Sequence, residues 1–105
     1  MIAKRCEEMN TTIEERIANK VDYRLIEINN ISPSAEVQAI IITSRPPSSD
    51  VVEDVKRVVH VIAVFPFLST IKIKGKVRDI LSLTEKDYVK YIMLEEILAK
   101  IEEFF

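Results

Sequence analysis

The spacing of apolar residues over the last twenty-two positions constrains this chain more than any other feature. Tyr91, Leu94, Leu98, Ile101 and Phe105 recur at steps of three, four, three and four, the interval of a helix seam that meets another helix. Tyr88, Val89, Ile92, Met93, Ile97 and Phe104 widen the apolar arc, enough for a sheet and a partner helix together. Glu95, Glu96, Lys100, Glu102 and Glu103 fill the remainder. The pattern predicts a long C-terminal amphipathic helix from Thr84. A homo-oligomer, dimeric or higher, is expected through Tyr91, Leu94, Leu98, Ile101 and Phe105.

A chain of 105 residues is one domain, residues 1–105, and is long enough to bury a core without cross-links. Its 48% hydrophobic and 30% charged residues exclude a disordered chain and give the contrast an ordered fold needs. So apolar a small domain is more easily accommodated if part of its surface is covered by another subunit. One cysteine, Cys6, and one histidine, His60, allow neither an internal disulfide nor a zinc-ligand spacing. No cofactor motif is present, and a reducing, cytoplasmic setting is expected. The longest apolar run, Val61 to Leu68, is too short for a bilayer and is broken by Pro66, so no membrane partner is expected. Abundant Ile, Val, Lys and Glu, with a single Gly and no Trp, lean towards a thermophile-like composition.

The local signals predict an α+β domain, a small, mainly antiparallel sheet of three or four strands packed by helices in the order α-β-β-α-β-(β)-α. Thr11 and Thr12 stand three residues before Glu14 and Glu15, a capping-box signal, and Ile13, Ile17 and Val21 give that helix one stripe. Tyr23 to Ile31 reads as a strand, and Ser32-Pro33-Ser34 as a turn. Val37 to Thr43, with Ile40-Ile41-Ile42 unbroken, reads as a central strand covered on both faces. Val51, Val52, Val55, Val58, Val59 and Ile62 recur at helical intervals after Asp50, which predicts a helix closed by Pro66. The β-branched run Val58 to Phe65 favours a strand, but no turn residue precedes it. Thr70 to Lys74 alternates, with Ile71 and Ile73 inward, and Val77 to Leu83 follows as a further strand after Gly75.

Four features bear on chemistry. From Val55 to Arg78 there is no acidic residue, while Lys56, Arg57, Lys72, Lys74, Lys76 and Arg78 are all positive. Lys72, Lys74, Lys76 and Arg78 share strand parity, so an extended segment would set them in a row able to track the phosphates of DNA or RNA. Lysines on the open side of an edge strand have a plainer purpose, the prevention of sheet-to-sheet aggregation. Phe65 and Phe67, just before the row, are base-stacking candidates or ordinary core residues. The loop Ser44 to Asp50 enters a helix beside Arg45, where an anion would bind, but Asp50 itself suits the positive helix end. Asp22, Glu36 and Gln38 could hold magnesium only if they converged, and antiparallel pairing would separate the strand starts that carry Asp22 and Glu36. His60 falls on a polar helix face and Cys6 on an apolar stripe, which leaves no nucleophile and base pair.

The combined expectation is a non-enzymatic, homo-oligomeric binding module that contacts nucleic acid through its basic strand face, without sequence readout. The competing class is a structural or regulatory subunit that docks a protein partner. A metal-dependent nuclease comes third.

Overall fold

A computed structural model of the chain describes residues 19–98. Three helices and four strands follow one another as α1 (Tyr23–Ile31), β1 (Glu36–Thr43), α2 (Ser49–Lys56), β2 (His60–Phe65), β3 (Thr70–Lys76), α3 (Val77–Ser82) and β4 (Val89–Ile97). Single 3-10 turns, Pro66–Leu68 and Leu83–Glu85, link β2 to β3 and α3 to β4. The sheet order is β2-β3-β1-β4, every neighbouring pair antiparallel. From β1 onward this is the split β-α-β connectivity of ferredoxin-like domains, preceded by one extra helix.

The α+β class and four-stranded antiparallel sheet agree with expectation, while the element order and the long final helix do not. Strand β1 does form, between β3 and β4, but its burial alternates: Val37, Ala39, Ile41 and Thr43 face inward, and Gln38, Ile40 and Ile42 are only half-buried. Helices therefore cover one of its faces, not both. On that covered face Leu25, Val55, Val77, Ile80 and Leu83 close over Val37, Ala39, Ile41, Ile71, Ile73, Val89 and Ile92.

The segment read as a first strand is α1. Asp22 caps it by accepting from the Arg24 backbone N–H at 3.0 Å, and Val21 and Leu25, four apart, are both buried. Helix α2 is capped two residues earlier than expected, by Ser48 in place of Asp50, with Asp50 inside the first turn, and it stops at Lys56. The backbone N–H groups of Val58 and Val59 both return to the Val55 carbonyl, so the helix turns into β2 without Gly or Pro. Val77 to Ser82 is helical because Val77 and Ile80, three apart, both reach the core. The Val77 and Arg78 N–H groups at its start are satisfied by the carbonyls of Ala35 and Pro33.

The expected C-terminal helix is strand β4, flanked by residues outside the described range. Two register shifts explain the deception: Thr43 faces Val89 while Ile42 faces Tyr91, and Ala39 faces Leu94 while Gln38 faces Glu96. Lys90 and Glu95 are thus extra residues, and each bulge lengthens the alternation by one. By register the positions on the helix-covered side fall at Val89, Ile92, Leu94 and the exposed Ile97, steps of three, two and three that imitate a helical stripe. Of the proposed seam, Tyr91 and Leu94 lie on opposite faces of β4, Leu98 follows the strand, and Ile101 and Phe105 lie outside the described residues. The capping box at Thr11 and Thr12 also lies outside them.

The core assignment predicts that Leu25→Ala, which empties a fully buried site between α1 and the sheet, destabilises the fold by about 2–5 kcal/mol in urea unfolding. Ile31→Ala, at a position 78% exposed, should stay within about 0.5 kcal/mol of the parent.

Candidate functional site

Opposite the helices the sheet presents an open face, and strand register orders it into three rows. Phe65, Thr70, Ile42 and Tyr91 form the first, Ala63, Lys72, Ile40 and Met93 the second, and His60, Lys74, Gln38 and Glu96 the third. The face is apolar at one end and charged at the other. Phe65 is 44% and Met93 38% exposed. In the charged part, the bulged Glu95 accepts from the Gln38 side-chain amide and pairs with Lys72 at 3.2 Å. The Gln38 bond, and then Lys72, hold the Glu95 carboxyl below the usual carboxylate range. Lys72 is thereby partly neutralised.

Among the six basic residues picked out by sequence, Lys72, Lys74 and Lys76 do project from β3, which stays extended through Gly75. Arg78 leaves the row and stands on α3. Lys56, which pairs with Glu53 at 3.5 Å, joins His60, Lys74 and Lys76 around a shallow depression at the end of the sheet. Val58, Val59 and Gly75 also line it, as do the carboxylate residues Glu36 and Asp79. A side chain at position 75 would meet Val59 Cγ1 at 3.0 Å, so glycine lets the α2–β2 turn pack closely there. Arg57 lies apart, in a recess with Asp50, Glu53 and Asp54. Neither His60 nor Glu95 was tied to the lysines by sequence, because strand pairing alone brings them there.

One expectation about these lysines fails on topology. Strand β3 is paired on both sides, with β2 and with β1, so its lysines do not shield an edge. Among the described residues the edge strands are β2 and β4.

The other candidates reduce to structural parts. Asp22 caps α1, binds Arg24 Nη2 at 2.6 Å and accepts from the Leu94 N–H at 3.3 Å. Its carboxyl is held below the usual range chiefly by Arg24. Among the described residues no group of three or more His, Cys, Asp or Glu is placed to hold a metal ion. Ser48 Oγ accepts from the Val51 N–H at 3.3 Å and Asp50 occupies the first turn of α2, so that helix start is already satisfied. His60 is exposed at the start of β2, and Cys6 lies outside the described residues. No helix among the described residues is long and apolar enough to cross a membrane.

One polar cluster ties α2 to the approach of β4. Tyr88 Oη donates to Asp54 Oδ2 at 2.7 Å, and Lys86 Nζ lies 3.2 Å from the same oxygen. The Tyr88 and Lys86 contacts hold the Asp54 carboxyl below its ordinary range, while burial and then the Asp54 bond push the Tyr88 phenol up. Asp22, Asp54 and Glu95 are all depressed, so their stabilisation is present above the ordinary carboxylate pKa and is lost as pH falls through the lowered values. Tyr88→Phe should raise the Asp54 carboxyl pKa towards normal in a carbon-detected NMR titration and leave those of Asp22 and Glu95 in place.

No protein-family model, curated protein or solved structure matches the chain, so function rests on the chemistry of its surfaces.

Proposed function

We propose that the protein is a non-enzymatic binding module that docks another protein on the open face of its sheet. The observation that carries this is the apolar end of that face, where Ile40, Ile42, Phe65, Tyr91 and Met93 stand together on adjacent strands. Side chains of this kind, on rigid strands beside a charged border, have the layout of an interface with an apolar centre and a polar rim. The Lys72–Glu95–Gln38 cluster supplies that rim with groups of both signs, which suits a mixed protein surface better than a uniformly negative polymer.

A second function is favoured by a separate observation. Lys74 and Lys76 make no ion pair among the described residues, and they meet Lys56 and His60 around one depression. We propose this end of the sheet as the contact for DNA or RNA if the module binds nucleic acid, through backbone phosphates without base readout. The aromatic contribution would come from Phe65 and Tyr91, which end the far row.

Two variants separate these functions. Ile42→Lys with Met93→Lys should abolish binding to a purified protein partner, whereas Lys74→Ala with Lys76→Ala should change it less than threefold. Titration of single- and double-stranded DNA and RNA at two salt concentrations supplies the opposing result. Tight, salt-steep binding that the lysine variant weakens, with its slope reduced by about one unit per lost phosphate contact, would replace the protein-docking function by the nucleic-acid one.

A further inference from the structure

The two edges of the sheet are treated differently. Along β4 the chain covers its own edge: the Ile92 N–H donates to the Lys20 carbonyl and the Asp22 N–H to the Ile92 carbonyl, each at 2.8 Å, and Asp22 Oδ2 takes the Leu94 N–H. Along β2 no strand among the described residues pairs with the outer side. Natural edges are usually blunted by lysine, proline or inward charge. The β2 sequence, His-Val-Ile-Ala-Val-Phe, contains no Lys, Arg, Asp or Glu and no proline. Its one irregularity is the bulge between Val61 and Ala63, which leaves Ile62 41% exposed.

The ends of this strand are complementary. Beyond its C-terminal end, the Pro66–Leu68 turn carries Phe67, fully exposed, and Leu68, 69% exposed. This tip is held firmly. Ser69 adopts a left-handed backbone at φ 49°, its N–H returns to the Pro66 carbonyl, and its own carbonyl accepts the N–H of the buried Thr43 at 2.8 Å. Before its N-terminal end lies the depression lined by Val58, Val59 and Gly75, with Lys56, Lys74 and Lys76 and the carboxylates of Glu36 and Asp79 around it.

We infer that β2 pairs antiparallel with β2 of a second copy about a two-fold axis, joining two sheets into one of eight strands. Antiparallel pairing of a strand with its own copy is self-complementary, so one surface serves both partners. With His60 set opposite Phe65 of the second copy, the Pro66–Leu68 turn of each chain, which carries Phe67, lies alongside the Val58–Val59 turn that precedes β2 in the other. Each knob then enters the other copy's depression, where the lysines can lie against the phenyl face. An edge without Lys, Arg, Asp or Glu brings none of their like charges together across the axis. Exposed parts of Ile62, Phe67 and Leu68 from two copies, with the paired backbone of the two edges, amount to on the order of 1,000 Å², near the lower bound for a stable interface. The axis stands normal to the sheet, so both open faces point the same way. The inference is independent of what binds those faces.

Sedimentation equilibrium over a concentration series tests it, with hydrogen exchange to locate the contact. The parent should be a dimer at micromolar concentration, with the β2 amides protected beyond their level on dilution. Ile62→Lys sets one charge from each copy beside the axis, each opposite Ala63 of the other, and should yield a folded monomer of 12.1 kDa. Phe67→Ala with Leu68→Ser changes only exposed side chains, so folding is retained, and should weaken the dimer at least tenfold. Ile42→Lys with Met93→Lys should leave it intact, which separates this inference from the open-face function. A parent that stays monomeric at high micromolar concentration, or a dimer that both the Ile62 and tip variants leave unchanged, overturns it.

Discussion

The arrangement depends on antiparallel pairing along both sides of β1. Its inward side chains, Val37, Ala39 and Ile41, are fully buried beneath the helices. A shift of one residue would turn them outward and place Gln38, Ile40 and Ile42 in the core, so burial fixes the register. Because β3 and β4 both take their register from β1, the same constraint places Lys72 and Met93 on either side of Ile40. The end of the strand is fastened as well. Thr43, the one buried polar residue among those described, has its hydroxyl 2.5 Å from the Arg45 carbonyl and 3.0 Å from that of Ser69. The loop leaving β1 and the tip between β2 and β3 thus share an anchor.

What was legible in the sequence follows from how local each signal is. Strands β1 and β3 are self-announcing, the first by a β-branched run and the second by alternation of Ile71 and Ile73 with lysines. The start of α2 is equally local, since a serine or aspartate before an apolar-periodic segment has few other uses. Its end is not. Val58 and Val59 continue the valine spacing of the helix, so only their β-branched character signals β2, and the required turn residue never appears. In α1 the informative residue was Asp22, whose capping role makes Tyr23 to Ile31 helical, and which carries no metal site. The β4 bulges are least legible, because Lys90 and Glu95 are extra only with respect to a partner strand. Leu94 consequently turns to the core, and only Tyr91 of the described seam residues reaches the open face.

The candidate binding residues were legible as a charge run but not as a surface. Parity correctly groups Lys72, Lys74 and Lys76, yet it cannot reveal that Glu95 crosses from β4 to neutralise Lys72, or that Lys56 and His60 complete the depression. It also misplaces the reason for the lysines. On an interior strand they protect no edge, so their outward charge has another role, in keeping the middle of the open face solvated or in meeting a ligand there.

That distinction bears on how the two surfaces could work together. A lysine in the middle of a sheet face limits self-stacking of that face, since closing two copies face to face would desolvate Lys72 and Glu95 together. An edge without such an ion pair carries no such penalty. On the inference drawn above, self-association would use β2, whose outer side no strand among the described residues pairs with and which carries no Lys, Arg, Asp or Glu, and would leave the face for a partner whose charges match the Lys72–Glu95 rim. If the edges join, two such faces lie side by side on one continuous sheet. A ligand with two matching sites would then be held by both copies at once, and its affinity would depend on dimer concentration even though neither face had changed.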